Sequence, residues 1–175
     1  LADFHPNTPL IWPISGIAIA ALILWGDALW PGIFIGAFFG NLWINLSAGQ
    51  AALGTAAAVA FGIAAGHTLQ ALFASVMIRR FAGGRNFVEK TGDFFMFIAT
   101  AALLSPAINA ILGVSSLFLG NLVWVRDCPI LWFKWWLGNA IGIIAFTPPV
   151  LIWASIPFQK KLNFKDLAEL ALILI

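Results

Sequence analysis

Charge is what this chain has least of. Only 9% of its 175 residues are Asp, Glu, Lys or Arg, while 62% are hydrophobic, and the mean hydropathy is +0.98. Soluble domains carry about 25% charged residues, so a soluble fold is excluded. Acids are missing from the apolar runs: only Asp93 and Glu169 touch one, each near a helix start. Histidine is scarce too, with His5 in a polar segment and His67 inside an apolar run. A nucleophile, base and orienting group must titrate and meet. No such set is present, and enzyme chemistry is not expected within these residues. The single cysteine, Cys128, excludes an intrachain disulfide. One cysteine and one intramembrane histidine without a nearby second ligand do not make a metal centre. No cofactor is implied. The basic residues are few and flank apolar runs, which excludes a nucleic-acid partner.

What the chain has is apolar length. Ala51 to Ile78 carries no charged residue and ends at Arg79 and Arg80. At ~1.5 Å per residue it is long enough to cross a bilayer core of ~30 Å with some tilt. Similar runs recur along the chain, so no signal peptide explains them, and they are too long and continuous for barrel strands. The fold class is therefore all-α: a polytopic transmembrane bundle of five complete spans and the start of a sixth, one domain over residues 1–175. Helices are expected from Trp12 to Trp25, Pro31 to Leu46, Ala51 to Ile78, Asp93 to Phe118 with a kink at Pro106, and from Leu131 until Pro148 and Pro149 break or bend it. The last run, Leu167 to Ile175, is too short to finish a span. It predicts a portion of a longer protein, with further spans outside it.

Lys and Arg set the orientation. Arg79, Arg80, Arg85 and Lys90 follow the third span, and Lys160, Lys161 and Lys165 follow the fifth. Both loops are expected in the cytoplasm, with Leu1 to Leu10 and Gly120 to Ile130 outside. Trp12, Trp43, Trp124, Trp132, Trp135 and Trp136 then fall near the outer interface, and Trp25, Trp30 and Trp153 near the inner one.

Small residues recur at four-residue spacing: Gly32, Gly36 and Gly40; Gly62 and Gly66; Gly138 and Gly142. Such rows predict close helix–helix seams. Polar side chains within spans are costly unless they face protein or a cavity. Ser15, Asn41, His67, Gln70, Asn109 and Asn139 are spread over five helices, and His67 and Gln70, three apart, share one face. A single inward cluster is expected, roofed by Trp12, Trp135 and Trp136 and open to a small ligand. Separate helix–helix amide bonds are the structural alternative.

Several strings stand in one order: Ile11-Trp12-Pro13-Ile14-Ser15-Gly16-Ile17-Ala18; Leu29-Trp30-Pro31-Gly32 with Gly36-Ala37-Phe38; Gly66-His67-Thr68-Leu69-Gln70-Ala71 with Arg79-Arg80; Trp135-Trp136-Leu137-Gly138-Asn139-Ala140-Ile141-Gly142; and Phe146-Thr147-Pro148. Together they resemble the first family of bacterial membrane-associated sensor domains, from about Ile11 to Trp153. The resemblance implies a multi-span input module placed before a histidine kinase, a diguanylate cyclase or a cyclic-di-GMP phosphodiesterase. Three places depart from the family pattern. Ile14 stands where proline is common, His67 and Gln70 where Asn and Glu are common, and Asn139 where an acid is common. Two carboxylates are thereby absent from the membrane interior.

The expected function is a sensory input domain in a bacterial inner membrane. Its expected partners are the lipid bilayer, an unidentified small ligand and a second copy held through the output module. A small-solute transporter is the rival, and it would favour internal repeats and midplane charges. Neither is evident. A scaffold that only anchors and dimerises leaves His67 and Gln70 unexplained.

Overall fold

Proline and glycine mark where the helices start and stop. The computed structural model describes residues 12–49 and 51–155. Helix α1 spans Pro13–Trp25; Pro13 occupies its first position, where the missing N–H loses no bond. It stops at Gly26, whose φ of +94° suits a residue without a Cβ. After one turn of 3₁₀ helix, α2 spans Trp30–Ser47, with Pro31 in its first turn. Helix α3 spans Leu53–Phe81, 29 residues, and holds Arg79 and Arg80 in its last turn. Cations there complement the exposed carbonyl end. The next span has three parts: α4 (Thr91–Phe97), a π-helical segment (Ile98–Leu104) and α5 (Ser105–Leu119). Helix α6 spans Cys128–Ser155. Four stretches are long and apolar enough to cross a membrane, and α1 is a shorter apolar helix. No strand occurs among the described residues. The start expected at Leu167 lies outside them.

Two features of the helices differ from the sequence reading. Helix α6 begins at Cys128 rather than Leu131 and is not broken by Pro148 and Pro149, both of which lie inside it. Membrane helices tolerate such prolines where neighbours serve the freed backbone groups. The kink expected at Pro106 takes the form of the π-helical segment just before it. Pro106 has no N–H to give to the preceding turn. Side chains supply donors there instead: Ser105 Oγ donates to the Ala101 carbonyl at 2.6 Å, and Trp136 Nε1 donates to the Leu103 carbonyl at 2.8 Å.

Helix α3 is central, packing against α1, α2 and α5, while α6 closes on α1 and α5. Two glycine seams hold this arrangement. A Cβ on Gly62 would collide with the Ser116 hydroxyl, and one on Gly66 would lie 2.8 Å from Asn109 Oδ1. Side chains at either position would push α5 off α3. On the other side, a Cβ on Gly16 would lie 2.5 Å from the Gly142 carbonyl, and one on Gly142 would collide with the Trp12 carbonyl. The backbones of α1 and α6 come close enough to bond: Trp12 N–H donates to the Gly138 carbonyl at 3.2 Å, and Thr147 Oγ1 donates to the Gly16 carbonyl at 3.1 Å.

The third glycine row does not behave as expected. Gly32, Gly36 and Gly40 are exposed, and a Cβ on any of them would meet nothing within 4 Å. Helix α2 leans chiefly on α3 and buries one residue, Asn45. The spacing rightly marks a smooth helix face, but among the described residues no helix lies against it.

At one end of the bundle the carbonyl terminus of α1 meets two arginines. Arg79 Nη2 pairs with Asp27 Oδ2 at 2.5 Å while its Nη1 donates to the Leu22 carbonyl at 3.3 Å. Arg85 donates to the Leu24 carbonyl. Below them Phe87 and Phe97 stack at 4.3 Å, joining Ile19, Leu22, Ile78 and Ile143 in the larger apolar core.

Candidate functional site

Four helices contribute one buried polar chain. Ser15 on α1 donates to Asn139 Oδ1 on α6 at 2.5 Å. Asn109 Nδ2 on α5 donates to the same oxygen at 3.2 Å. The Asn109 amide also bonds His67 Nδ1 on α3 at 2.9 Å. Asn139 Nδ2 is held by the Trp135 carbonyl one turn back, at 2.8 Å. Both acceptor positions of Asn139 Oδ1 and both protons of Asn109 Nδ2 are therefore used. Ser15, Asn109 and Asn139 are buried. Because His67 Nδ1 accepts from Asn109, the neutral ring carries its proton on Nε2.

Gly66 is what lets this chain close. Its missing Cβ is the space that Asn109 Oδ1 occupies. The sequence pairs Gly66 with His67, and the fold uses the two on adjacent faces: one for approach, the other for bonding.

A cavity of about 560 Å³ lies in front of the chain, between α1, α2 and α3. That volume is in the range of small-molecule sites. Trp12, Ser15, Asn41, His67 and Gln70 all line it. The Trp12 ring sits 6.1 Å from the His67 ring, tilted by 54°. Asn41 Nδ2 is tied to the Ala37 carbonyl at 2.8 Å, leaving its oxygen as the freer group. Asn109 Oδ1, Trp135 Nε1 and Asn45 Nδ2 are buried without a partner, and Gln70 goes further, with both of its amide atoms unmet. It is 1% exposed, and neither Nε2 nor Oε1 has a hydrogen-bond partner. A buried amide left unpaired costs ~1–3 kcal/mol for each unmet group, so such atoms call for an explanation.

The expected cluster thus divides into two layers. Trp12, Ser15, Asn41, His67 and Gln70 face the cavity, while Asn109 and Asn139 stand behind them and join helices. Trp135 and Trp136 do not roof it. The Trp135 ring fills the space left by Gly113 on α5 and belongs to the second apolar core, with Val59, Ile63 and Leu131. Trp136 stacks on Trp132 at 6.3 Å and gives its N–H to the π-helical segment. Both indoles are turned away by the rotation of α6, which points Asn139 inward instead. Residues that the reading of the polar groups missed are Gly32, Gly36 and Gly40, which form the α2 wall of the cavity. Among the described residues no group of three or more His, Cys, Asp or Glu could hold a metal ion.

No curated protein and no solved structure matches the chain. A family model described as MASE1 matches residues 5–170, nearly the whole length. The short strings that mark the resemblance all fall within that match: Trp12 with Ser15, the Pro31–Gly40 row, Gly66 to Gln70 and Trp135 to Gly142. The chain belongs to the MASE1 family and is a multi-pass membrane sensory domain.

Proposed function

We propose that this domain detects a small ligand in the cavity between α1, α2 and α3 and relays its presence to a cytoplasmic output module. The module would be a histidine kinase, a cyclic-di-GMP cyclase or a phosphodiesterase in a bacterial inner membrane, paired with a second copy through that module. The observation that carries the reading is one of contact. The cavity wall and the four-helix polar chain share Ser15 and His67. A ligand bonding His67 Nε2 would act on the ring whose other nitrogen holds Asn109, and through it on α5 and α6. A ligand shifts two helix arrangements only by preferring one of them. A bonded chain across four helices gives it two states to choose between, joined or parted. The domain itself has no catalytic part in this reading.

The test is signalling by the full-length protein carrying His67→Ala, Gln70→Ala or Asn139→Ala, with protein level and thermal stability measured alongside. Altered output from well-folded protein supports the site. Loss of output only in proportion to loss of folded protein assigns these residues a structural role. Unchanged output from a well-folded triple variant would sink the reading.

A further inference from the structure

We infer that the cavity takes an uncharged, single-chain lipid amphiphile from the bilayer, its head presenting a hydrogen-bond acceptor and donor side by side, as a monoacylglycerol or a long-chain primary amide does. The inference deepens the sensory reading and rests on it for its biological meaning, but not for binding.

Three observations fix the class. The first is the Gln70 amide, buried and unpaired at both atoms on the cavity wall. A carboxamide is satisfied by one partner only if that partner both donates and accepts. His67 Nε2–H adds a second donor nearby. The second is charge: no Asp, Glu, Lys or Arg lines the cavity. A phosphate or an ionised carboxylate would be held there without a counter-ion, which low-dielectric surroundings penalise heavily. The head is therefore neutral.

The third is shape. The α2 side of the cavity runs from Leu29 to Ile44, about 22 Å at helical rise, and is bare backbone at Gly32, Gly36 and Gly40. Polar groups sit at one end, where Trp12, Ser15 and Asn41 lie. The other end is apolar, with Ala21, Leu29 and Ile33. A transmembrane helix following that wall, about 10 Å across, would need about 1,700 Å³, three times the space present. A slender tail fits the space. Among the described residues α1 and α2 do not pack closely on each other, and the cavity residues Ile14, Ile17, Gly32 and Gly36 are exposed, which leaves the cavity open towards the lipid side.

The test uses the full-length protein in phosphatidylcholine nanodiscs and 1-monooleoylglycerol with a diazirine in its acyl chain. The expected result is saturable photolabelling of α1 and α2 residues around Ile33 and Ala37, displaced by unlabelled oleamide but not by added phosphatidylcholine. Gly36→Leu fills the groove and should abolish saturable labelling at an unchanged melting temperature. Ala18→Phe, on the opposite wall, does the same if Gly36→Leu fails to fold. Gln70→Leu should raise the half-saturating concentration about tenfold, the worth of one or two hydrogen bonds. Three results overturn the proposal. They are labelling that does not saturate or spreads to lipid-facing residues such as Phe39 and Ile111, equal displacement by phosphatidylcholine, and a Gly36→Cys protein that crosslinks to a second copy through this face. Saturable binding with no effect on output would sink the sensory reading and leave this inference standing. Output that depends on this cavity while the labelled amphiphile does not bind there would do the reverse.

Discussion

His67 and Asn109 lie 42 residues apart, and the amide nitrogen of one is 2.9 Å from the ring nitrogen of the other. This bond joins the two halves of the polar chain, because Asn109 also holds Asn139, which holds Ser15. Asn109 is 0% exposed, so water cannot replace a lost partner.

The polar chain should therefore show in stability, and unequally. Asn139→Ala removes bonds to three partners and should cost about 1–3 kcal/mol, while Ser15→Ala removes one and should cost about 0.6 kcal/mol. Thermal unfolding in detergent, followed by intrinsic fluorescence, gives the ranking. Equal losses would show that Asn139 is not the hub.

The glycines should separate into two classes. Gly62→Ala and Gly66→Ala press a Cβ into α5 and should lower stability by about 1–3 kcal/mol. Gly36→Ala meets nothing and should be neutral or stabilise by up to about 1 kcal/mol through helix propensity. The measurement is the melting temperature of each variant in the same nanodisc. A destabilising Gly36→Ala would place a helix on that row after all.

The π-helical segment should loosen on its own. Trp136→Phe keeps an aromatic ring, though a smaller one, and removes the donor to the Leu103 carbonyl, at a cost of about 1 kcal/mol for the bond. Hydrogen exchange should quicken over residues 98–104 and stay unchanged in the middle of α3. Faster exchange throughout the bundle would mean that Trp136 acts by packing alone.

Orientation can be read by cysteine labelling after Cys128→Ser. With an impermeant reagent on intact cells, Arg126→Cys should react and Gly83→Cys should not. The run of basic residues after α3 motivates this, since Lys and Arg concentrate in cytoplasmic loops. A labelled Gly83→Cys reverses the assignment.

The fold was legible where composition decides it. A run without charge, long enough to cross a bilayer, has few alternatives, and Pro13, Gly26 and Pro31 bound α1 and α2 as local backbone chemistry requires. The polar set was legible for the same reason, since each member opposes insertion into lipid. What the sequence could not specify is helix rotation. Gly36 and Gly66 sit in rows of the same spacing, yet one faces a cavity and the other a neighbouring helix. Spacing describes a helix surface and not what lies across from it. The same applies to Trp135 and Trp136, whose indoles follow the turn of α6 and not the position of Asn139. The π-helical turn was visible only as a proline, because the widening depends on donors from Ser105 and from the distant Trp136.

Arg79 and Arg85 have two duties that exchanging guanidinium for ammonium would separate. During insertion they count simply as positive charges, and lysine counts equally. In the finished bundle they close the carbonyl end of α1, which at 13 residues measures about 20 Å and stops short of a ~30 Å hydrocarbon layer. A guanidinium can grip Asp27 with one nitrogen and the Leu22 carbonyl with another. An ammonium is a point donor without that fork. A doubly lysine-substituted protein would be threaded correctly and yet have a frayed first helix, so biogenesis and finished architecture place different demands on the same two positions.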